Sequence, residues 1–216
     1  MRAGAGAVRL AADALPSGAS PDVVLRREPI EELLSDERTG AVLVGPGLGR
    51  DEGARAKLDA VLAARRPTVI DADALHLVTS AALADFTGPL VLTPHEGELA
   101  QLAKCFAVEA GDKFARAAEL ARLSGAVVVA KGPDTVIAAP DGRIAFAPSA
   151  TSWLSVAGTG DVLAGVIASR LATGGDPFAA AQEGCWLHNE AARLCRPPFL
   201  ASELARAVSG AYAACL

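Results

Sequence analysis

The stretch "AVLVGPGLGRDEGARAKLDAVLAARRPTVIDADAL", residues 41–75, carries the pattern that sets the fold. A short β-branched run (41–45) meets a glycine-rich turn, a helical stretch follows at about 51–65, and a second apolar run (68–72) ends among Asp71 and Asp73. Both runs are apolar throughout instead of alternating, as expected of strands covered on both faces of a parallel sheet. Outward from here the rhythm repeats. Further strands are predicted at 7–11, 22–26, 89–93 and 126–131, with helices at roughly 74–83, 95–103 and 109–124. The alternation predicts an α/β fold, with a mostly parallel central sheet and helices on both faces.

After residue 131 the pattern changes. "DTVIAAPDGRIAFAP" (134–148) reads as a hairpin turned at Pro140, Asp141 and Gly142. Three helices are then predicted, at about 160–173, 176–195 and 200–213, the second with Asp176 as N-cap and Pro177 at its first position. No linker, low-complexity segment or repeat divides the chain, so one domain spanning 1–216 is expected.

Composition narrows the function classes. A chain of 216 residues that is 51% hydrophobic can bury a substantial core without disulfides or metals. A net charge of −5 argues against a nucleic-acid surface, and 4% aromatic residues leave few platforms for stacking bases. No run of 18 apolar residues suggests a membrane span, and "MRAGAGAVRLAADALP" lacks the layout of a signal peptide, so a cytoplasmic protein is expected. Cys105, Cys185, Cys195 and Cys215 show no CxxC spacing. Cys185, His188 and Cys195 would share one helix face; a metal site is the alternative there, and packing of core-facing side chains is the reading adopted.

Several stretches could carry chemistry. "VGPGLGR" (44–50) would turn its amides toward a ligand, or be a plain turn. Asp71 and Asp73 fall at the carboxyl end of a strand, where open α/β sheets bind ligands and a carboxylate can hold Mg²⁺ through water. Asp73 is read as the cap of the helix beginning near Ala74, and Asp71 is left open. In "LTPHEGELAQL" (92–102), Thr93 and Glu96 have capping-box spacing with Pro94 at the first helical position. His95 would then be free either to donate to a phosphate or polar ligand, or to stand in solvent. Lys131 ends an apolar strand as a phosphate contact or a snorkelling side chain, and the amides that follow, through Thr135, could hold further phosphate oxygens.

The strongest signal is "SVAGTGDVLAGVIASRL" (155–171). Gly158 and Gly160 flank Thr159 and deliver Asp161 into an apolar helix, so the loop and the helix N-terminus form an anion cradle. Such an arrangement suits phosphoryl transfer: amides stabilise the phosphoryl oxygens while the carboxylate takes the nucleophile's proton. The helix N-terminus is expected to hold Asp161 ionised.

Taken in order, "VGPGLGR", "DADAL", "LTPHEGE", "VAKGPDT" and "WLSVAGTGDVLAGVIASRL" resemble the ADP-dependent NAD(P)H-hydrate dehydratases of the ribokinase-like superfamily, whose fold is a three-layer sandwich. The resemblance implies cofactor repair. Hydrated nicotinamide, the S epimer at ring carbon 6, would be dehydrated to NADH or NADPH as ADP becomes AMP and phosphate. It implies Asp161 as the catalytic group, with an anion hole at Gly158, Thr159 and Gly160. The nucleotide would be held by Lys131, Gly132, Pro133, Asp134, Thr135 and Gly160, and the hydrate by Gly47, His95 and Asp161. ADP is the implied co-substrate and Mg²⁺ the implied cofactor, without a dedicated ligand set, in a homo-oligomer. The family pattern places a strand, a glycine-rich turn and a helix before "RAGAGAV", so the chain is expected to be shortened relative to it. Other readings are an ATP-dependent kinase of hydroxymethylpyrimidine or thiazole alcohols, and an inactive nucleotide-binding protein.

Overall fold

The computed structural model describes residues 1–12, 20–109 and 111–215. Two short strands come first, β1 (Val8–Ala11) and β2 (Val23–Arg26), paired in parallel with each other. Helix α1 (Ile30–Ser35), absent from the sequence reading, follows Pro29. The Arg9 guanidinium on β1 reaches Asp36 (2.6 Å) and the Thr39 hydroxyl (2.9 Å), which ties this strand to the turn after α1.

The main sheet has six strands, β3 (Val42–Val44), β4 (Thr68–Ile70), β5 (Leu90–Leu92), β6 (Val127–Ala130), β7 (Val136–Ala138) and β8 (Ile144–Phe146), side by side in chain order. β3 to β6 are parallel; β7 pairs antiparallel with β6, and β8 pairs antiparallel with β7. The strands at 7–11 and 22–26 thus exist as expected but form a sheet of their own, with no ladder to the main sheet among the described residues.

Register explains why the strands are apolar throughout. Val44, Ile70, Leu92 and Val128 lie abreast in one row, and Leu43, Val69, Val91 and Val127 in the next. Successive strand residues point to opposite faces, and both faces are covered. The first row packs on Leu58, Leu83, Leu99 and Leu120. These belong to α2 (Glu52–Ala63), α3 (Ser80–Leu83), α4 (Glu96–Cys105) and α5 (Lys113–Ser124). From the second row, Val69, Val91 and Val127 pack on Leu163, Ile167, Phe178 and Ala181. Those sit on α6 (Thr159–Gly174) and α7 (Pro177–Leu194), and α8 (Ala201–Ala213) closes over that pair through Leu204 and Val208.

Local caps set the helix ends. Asp51, Asp112 and Asp176 each accept a first-turn N–H, of Ala54, of Ala115, and of Phe178 and Ala179. The helix predicted from 109 therefore starts at Lys113, after its Asp112 cap; Ala110 lies outside the described residues. The helix predicted at 74–83 divides into a 3₁₀ turn (Ala72–His76) and α3, because the Thr79 hydroxyl accepts from Ala82 and restarts the helix. No helix among the described residues is long and apolar enough to cross a membrane.

Candidate functional site

Each of the parallel strands β3, β4, β5 and β6 runs directly into a stretch singled out from the sequence: Val44 into Gly45, Ile70 into Asp71, Leu92 into Thr93, Ala130 into Lys131. All lie at the carboxyl edge of the sheet, where open α/β sheets bind ligands. Helix α6 begins at this edge too, because a Cβ on Gly160 would stand 3.5 Å from the Lys131 Nζ.

Asp71 is the centre of the cluster. Its carboxylate is buried, and Oδ1 accepts from the Thr93 hydroxyl (2.7 Å) and from the Lys131 ammonium (2.8 Å). Lys131 is therefore a bonded cation at the strand ends and not a snorkelling surface residue. Thr93 is not a helix cap either; its hydroxyl is spent on Asp71. The backbone of Asp71 explains a glycine as well. A Cβ on Gly45, whose φ is +135°, would lie 1.7 Å from the Asp71 carbonyl oxygen, so the "VGPGLGR" loop can pass there only as glycine.

At the α6 terminus Gly158 is the N-cap, with φ +86°, and no side chain caps the helix. The Thr159 hydroxyl lies 2.6 Å and 2.8 Å from the Leu154 and Val156 carbonyls, and the Thr159 N–H donates to Val156 at 3.3 Å. Thr159 thus frames the turn, and its N–H is not the free anion donor that the sequence reading makes it. The N–H groups of Gly160 and Asp161 have no backbone partner among the described residues.

Asp161 departs from expectation in the direction of its shift. Burial raises its pKa above the ordinary carboxylate value, the neighbouring Asp71 charge adds to this, and Lys131 opposes it.

Asp73 does not cap a helix. It accepts from the Gly49 N–H (3.1 Å) and pairs with Arg50 (2.9 Å), and these bonds, Arg50 first, hold its carboxyl below the usual range. Asp73 thereby pins the glycine loop after Gly47, the Gly45 contact with Asp71 pins it before, and a Cβ on Gly47 itself would meet nothing within 4 Å.

His95, not Thr93, is the N-cap of α4. Its Nδ1 accepts from the N–H groups of Gly97 (3.0 Å) and Glu98 (3.3 Å), while Glu98 returns a bond to the His95 N–H (2.8 Å). The capping box is shifted by two residues from the Thr93–Glu96 expectation. Because Nδ1 accepts, the ring proton belongs on Nε2, which lies on an exposed side chain 3.5 Å from Glu98.

The loop from Lys131 to Thr135 is largely self-bonded. The Thr135 hydroxyl accepts from the Gly132 N–H (3.1 Å) and donates back to the Gly132 carbonyl (2.8 Å), and Pro133 is exposed. Asp134 pairs with Lys113 (2.6 Å), whose ammonium keeps the Asp134 carboxyl below its ordinary value. Lys113 was not visible as a member of this loop from the sequence.

His188, read from the sequence as a core residue, has a second duty. It is buried on α7, and its Nε2 lies 2.9 Å from the Thr159 carbonyl, directly behind the cradle. Burial lowers its pKa to about 4, so the ring is neutral and Nε2–H donates. Cys185 packs in the core, where burial pushes its thiol up to about 12, and Cys195 ends α7.

A model of the NAD(P)H-hydrate dehydratase family matches residues 1–209. The chain belongs to this family. An ADP-dependent (S)-NAD(P)H-hydrate dehydratase of Neisseria meningitidis is 36% identical over 183 residues, 82% of this chain and 61% of the relative. A crystal structure of the ADP/ATP-dependent NAD(P)H-hydrate dehydratase of Bacillus subtilis, co-crystallised with ATP/Mg²⁺, superposes with a TM-score of 0.76 at 30% identity, covering 90% of this chain and 72% of that one. A ribokinase-like superfamily protein of Enterococcus faecalis superposes at 0.74 and 26% identity, covering 90% and 70%, and the α/β sandwich of this chain is of that type. The chain spans about three fifths of the Neisseria relative, and about a third of the bifunctional NAD(P)H-hydrate repair enzymes it also matches. In this dehydratase-family chain the motif that ends at Asp161 and the strand-end cluster at Asp71 share one edge of the sheet.

Proposed function

We propose that the protein dehydrates hydrated NAD(P)H, the S epimer, with ADP as co-substrate. One observation carries the reading. Asp161, with raised proton affinity, stands at a glycine-flanked helix terminus beside the Lys131 ammonium, at the carboxyl edge of the sheet.

Asp161 takes the proton of the ring hydroxyl as that oxygen attacks the β-phosphorus of ADP. The bond from that phosphorus to the bridging oxygen breaks, and AMP leaves. The Gly158–Gly160 loop, with the Gly160 and Asp161 N–H groups, and Lys131 meet the charge on the transferred oxygens. The ring C–O bond then breaks with departure of phosphate, a proton is lost from the adjacent ring carbon, and the reduced nicotinamide is restored. Phosphate leaves far more readily than hydroxide, which gives a phosphotransfer site its use in a dehydration. Gly47, at the open tip of its loop, and the exposed imidazole of His95 would meet the hydrate. Lys131 to Thr135 would border the nucleotide.

The described residues do not offer Mg²⁺ a protein cage. No three His, Cys, Asp or Glu side chains converge among them, and Asp71 is already bonded to Lys131 and Thr93. The ion fits as a partner of the nucleotide's phosphates and water, and no step here runs through it.

The test is incubation of purified hydrate with the protein and ADP or ATP. Recovery of reduced-nicotinamide absorbance together with AMP supports the reading. A stable phosphate ester would replace it with a kinase, and ADP binding without turnover would replace it with a binding protein.

A further inference from the structure

We propose that Asp71 is a positioning residue of this site: bonded to Lys131 and steadied by Thr93, it holds the ammonium at the mouth of the Gly158–Gly160 loop. The proposal rests on the phosphoryl-transfer reading above and adds a residue which that reading does not use.

The geometry is specific. Asp71 is 1% exposed, and its Oδ1 receives both the Thr93 hydroxyl (2.7 Å) and the Lys131 Nζ (2.8 Å). The three residues come from the ends of adjacent strands β4, β5 and β6. The backbone is equally constrained: the Asp71 N–H donates to the Val44 carbonyl (3.1 Å), and its carbonyl occupies the space left by Gly45. A carboxylate held this firmly fixes the far end of an otherwise flexible lysine stem. The ammonium it fixes lies 3.5 Å from the position of a Gly160 Cβ, within reach of an anion on that loop. An arriving phosphate shares the cation with Asp71 and finds it already in place.

A second effect follows from charge. The groups facing Asp161 are Asp71 and Lys131, with neutral His188 behind the Thr159 carbonyl. Asp71 favours the protonated form of Asp161, so removing its charge makes Asp161 a weaker base.

The test compares wild type, Asp71→Asn, Thr93→Val, Lys131→Met and the double variants with Lys131→Met. Hydrate turnover with ADP is followed from about pH 5 to 9, with ADP calorimetry and thermal melts alongside. Asp71→Asn is expected to lower the plateau kcat by about 10- to 100-fold, with a smaller change in ADP affinity. Its acid limb should move to lower pH. In the Lys131→Met background the same replacement should cost less than about threefold, because no ammonium remains to be held. Thr93→Val should lose its effect in that background too, and it decides the matter if Asp71→Asn does not fold. Losses that multiply across the double variant, or an acid limb that stays in place, would overturn the proposal. A wild type that restores no reduced nicotinamide would instead refute the functional reading, and coupling of Asp71 to Lys131 in ADP affinity would then decide this one.

Discussion

His188 on α7 donates from Nε2 to the Thr159 carbonyl at 2.9 Å, so the cradle ahead of Asp161 hangs from a buried, neutral imidazole. Burial of this ring makes stability depend on pH with a definite sign, and the bond to Thr159 opposes the shift only in part. The His188 pKa falls from 6.5 to about 4 on folding, chiefly through burial. Its contribution is complete above the unfolded value and is lost as pH falls toward the folded one. Between pH 7.5 and 5 the loss is about 2 kcal/mol. Urea melts at both values should show this slope in wild type and a flatter one in His188→Gln, which keeps a donor but no titration. Parallel slopes would contradict the assignment.

For Asp161 the raised proton affinity has a kinetic consequence. As the proposed base Asp161 works only when ionised, so the acid limb of kcat/KM should lie above 3.8, the ordinary carboxylate value. Asp161→Asn should lower turnover by about 100- to 10,000-fold, the usual worth of a positioned general base. ADP binding, followed by calorimetry, should stay within a few fold. Undiminished turnover would remove Asp161 from the chemistry.

Much of this architecture is legible in the sequence because it is local. Fully apolar runs flanked by Gly45, Asp71, Thr93 and Lys131 mark buried parallel strands, and their register places those residues at one edge. The hairpin turn at Pro140 to Gly142 is equally local: Gly142 takes φ +92° and β7 pairs with β8. What local spacing does not carry is pairing across the fold. Lys131 bonds Asp71 sixty positions away, and His188 reaches Thr159 across twenty-nine. In sequence, Thr93 before Pro-His-Glu fits a helix cap; in the fold a buried carboxylate competes for its hydroxyl and wins. His95 then supplies the cap, a role that an imidazole seldom signals in sequence. The separation of β1 and β2 from the main sheet was equally invisible, since a strand's own residues do not name its neighbour.

Lys131→Met should act twice. It removes a cation from the proposed phosphate loop, so ADP affinity should fall by about tenfold, a typical value for one charge-assisted bond. It also strips a buried carboxylate of its counter-charge, and breaking such a pair costs about 3–5 kcal/mol. Thermal melts should therefore fall well below wild type. Adding Asp71→Asn should recover much of that loss without restoring ADP affinity, because the orphaned charge is gone while the cation is still absent. A double variant no more stable than Lys131→Met would argue against a buried ion pair.

The two glycines at 45 and 47 separate support from recognition. A Cβ on Gly45 would lie 1.7 Å from the Asp71 carbonyl oxygen, and its φ of +135° is one that only glycine adopts readily. Gly45→Ala must move the backbone of either strand end and should cost more than about 2 kcal/mol. Gly47 also has a positive φ, +69°, but a Cβ there meets nothing within 4 Å. Gly47→Ala carries only the left-handed penalty, about 1–2 kcal/mol, and places a methyl group in the open space assigned to the hydrate. The protein should remain folded, with KM for the hydrate raised and ADP affinity unchanged. A Gly47→Ala protein with an unaltered hydrate KM would take that loop out of the substrate site.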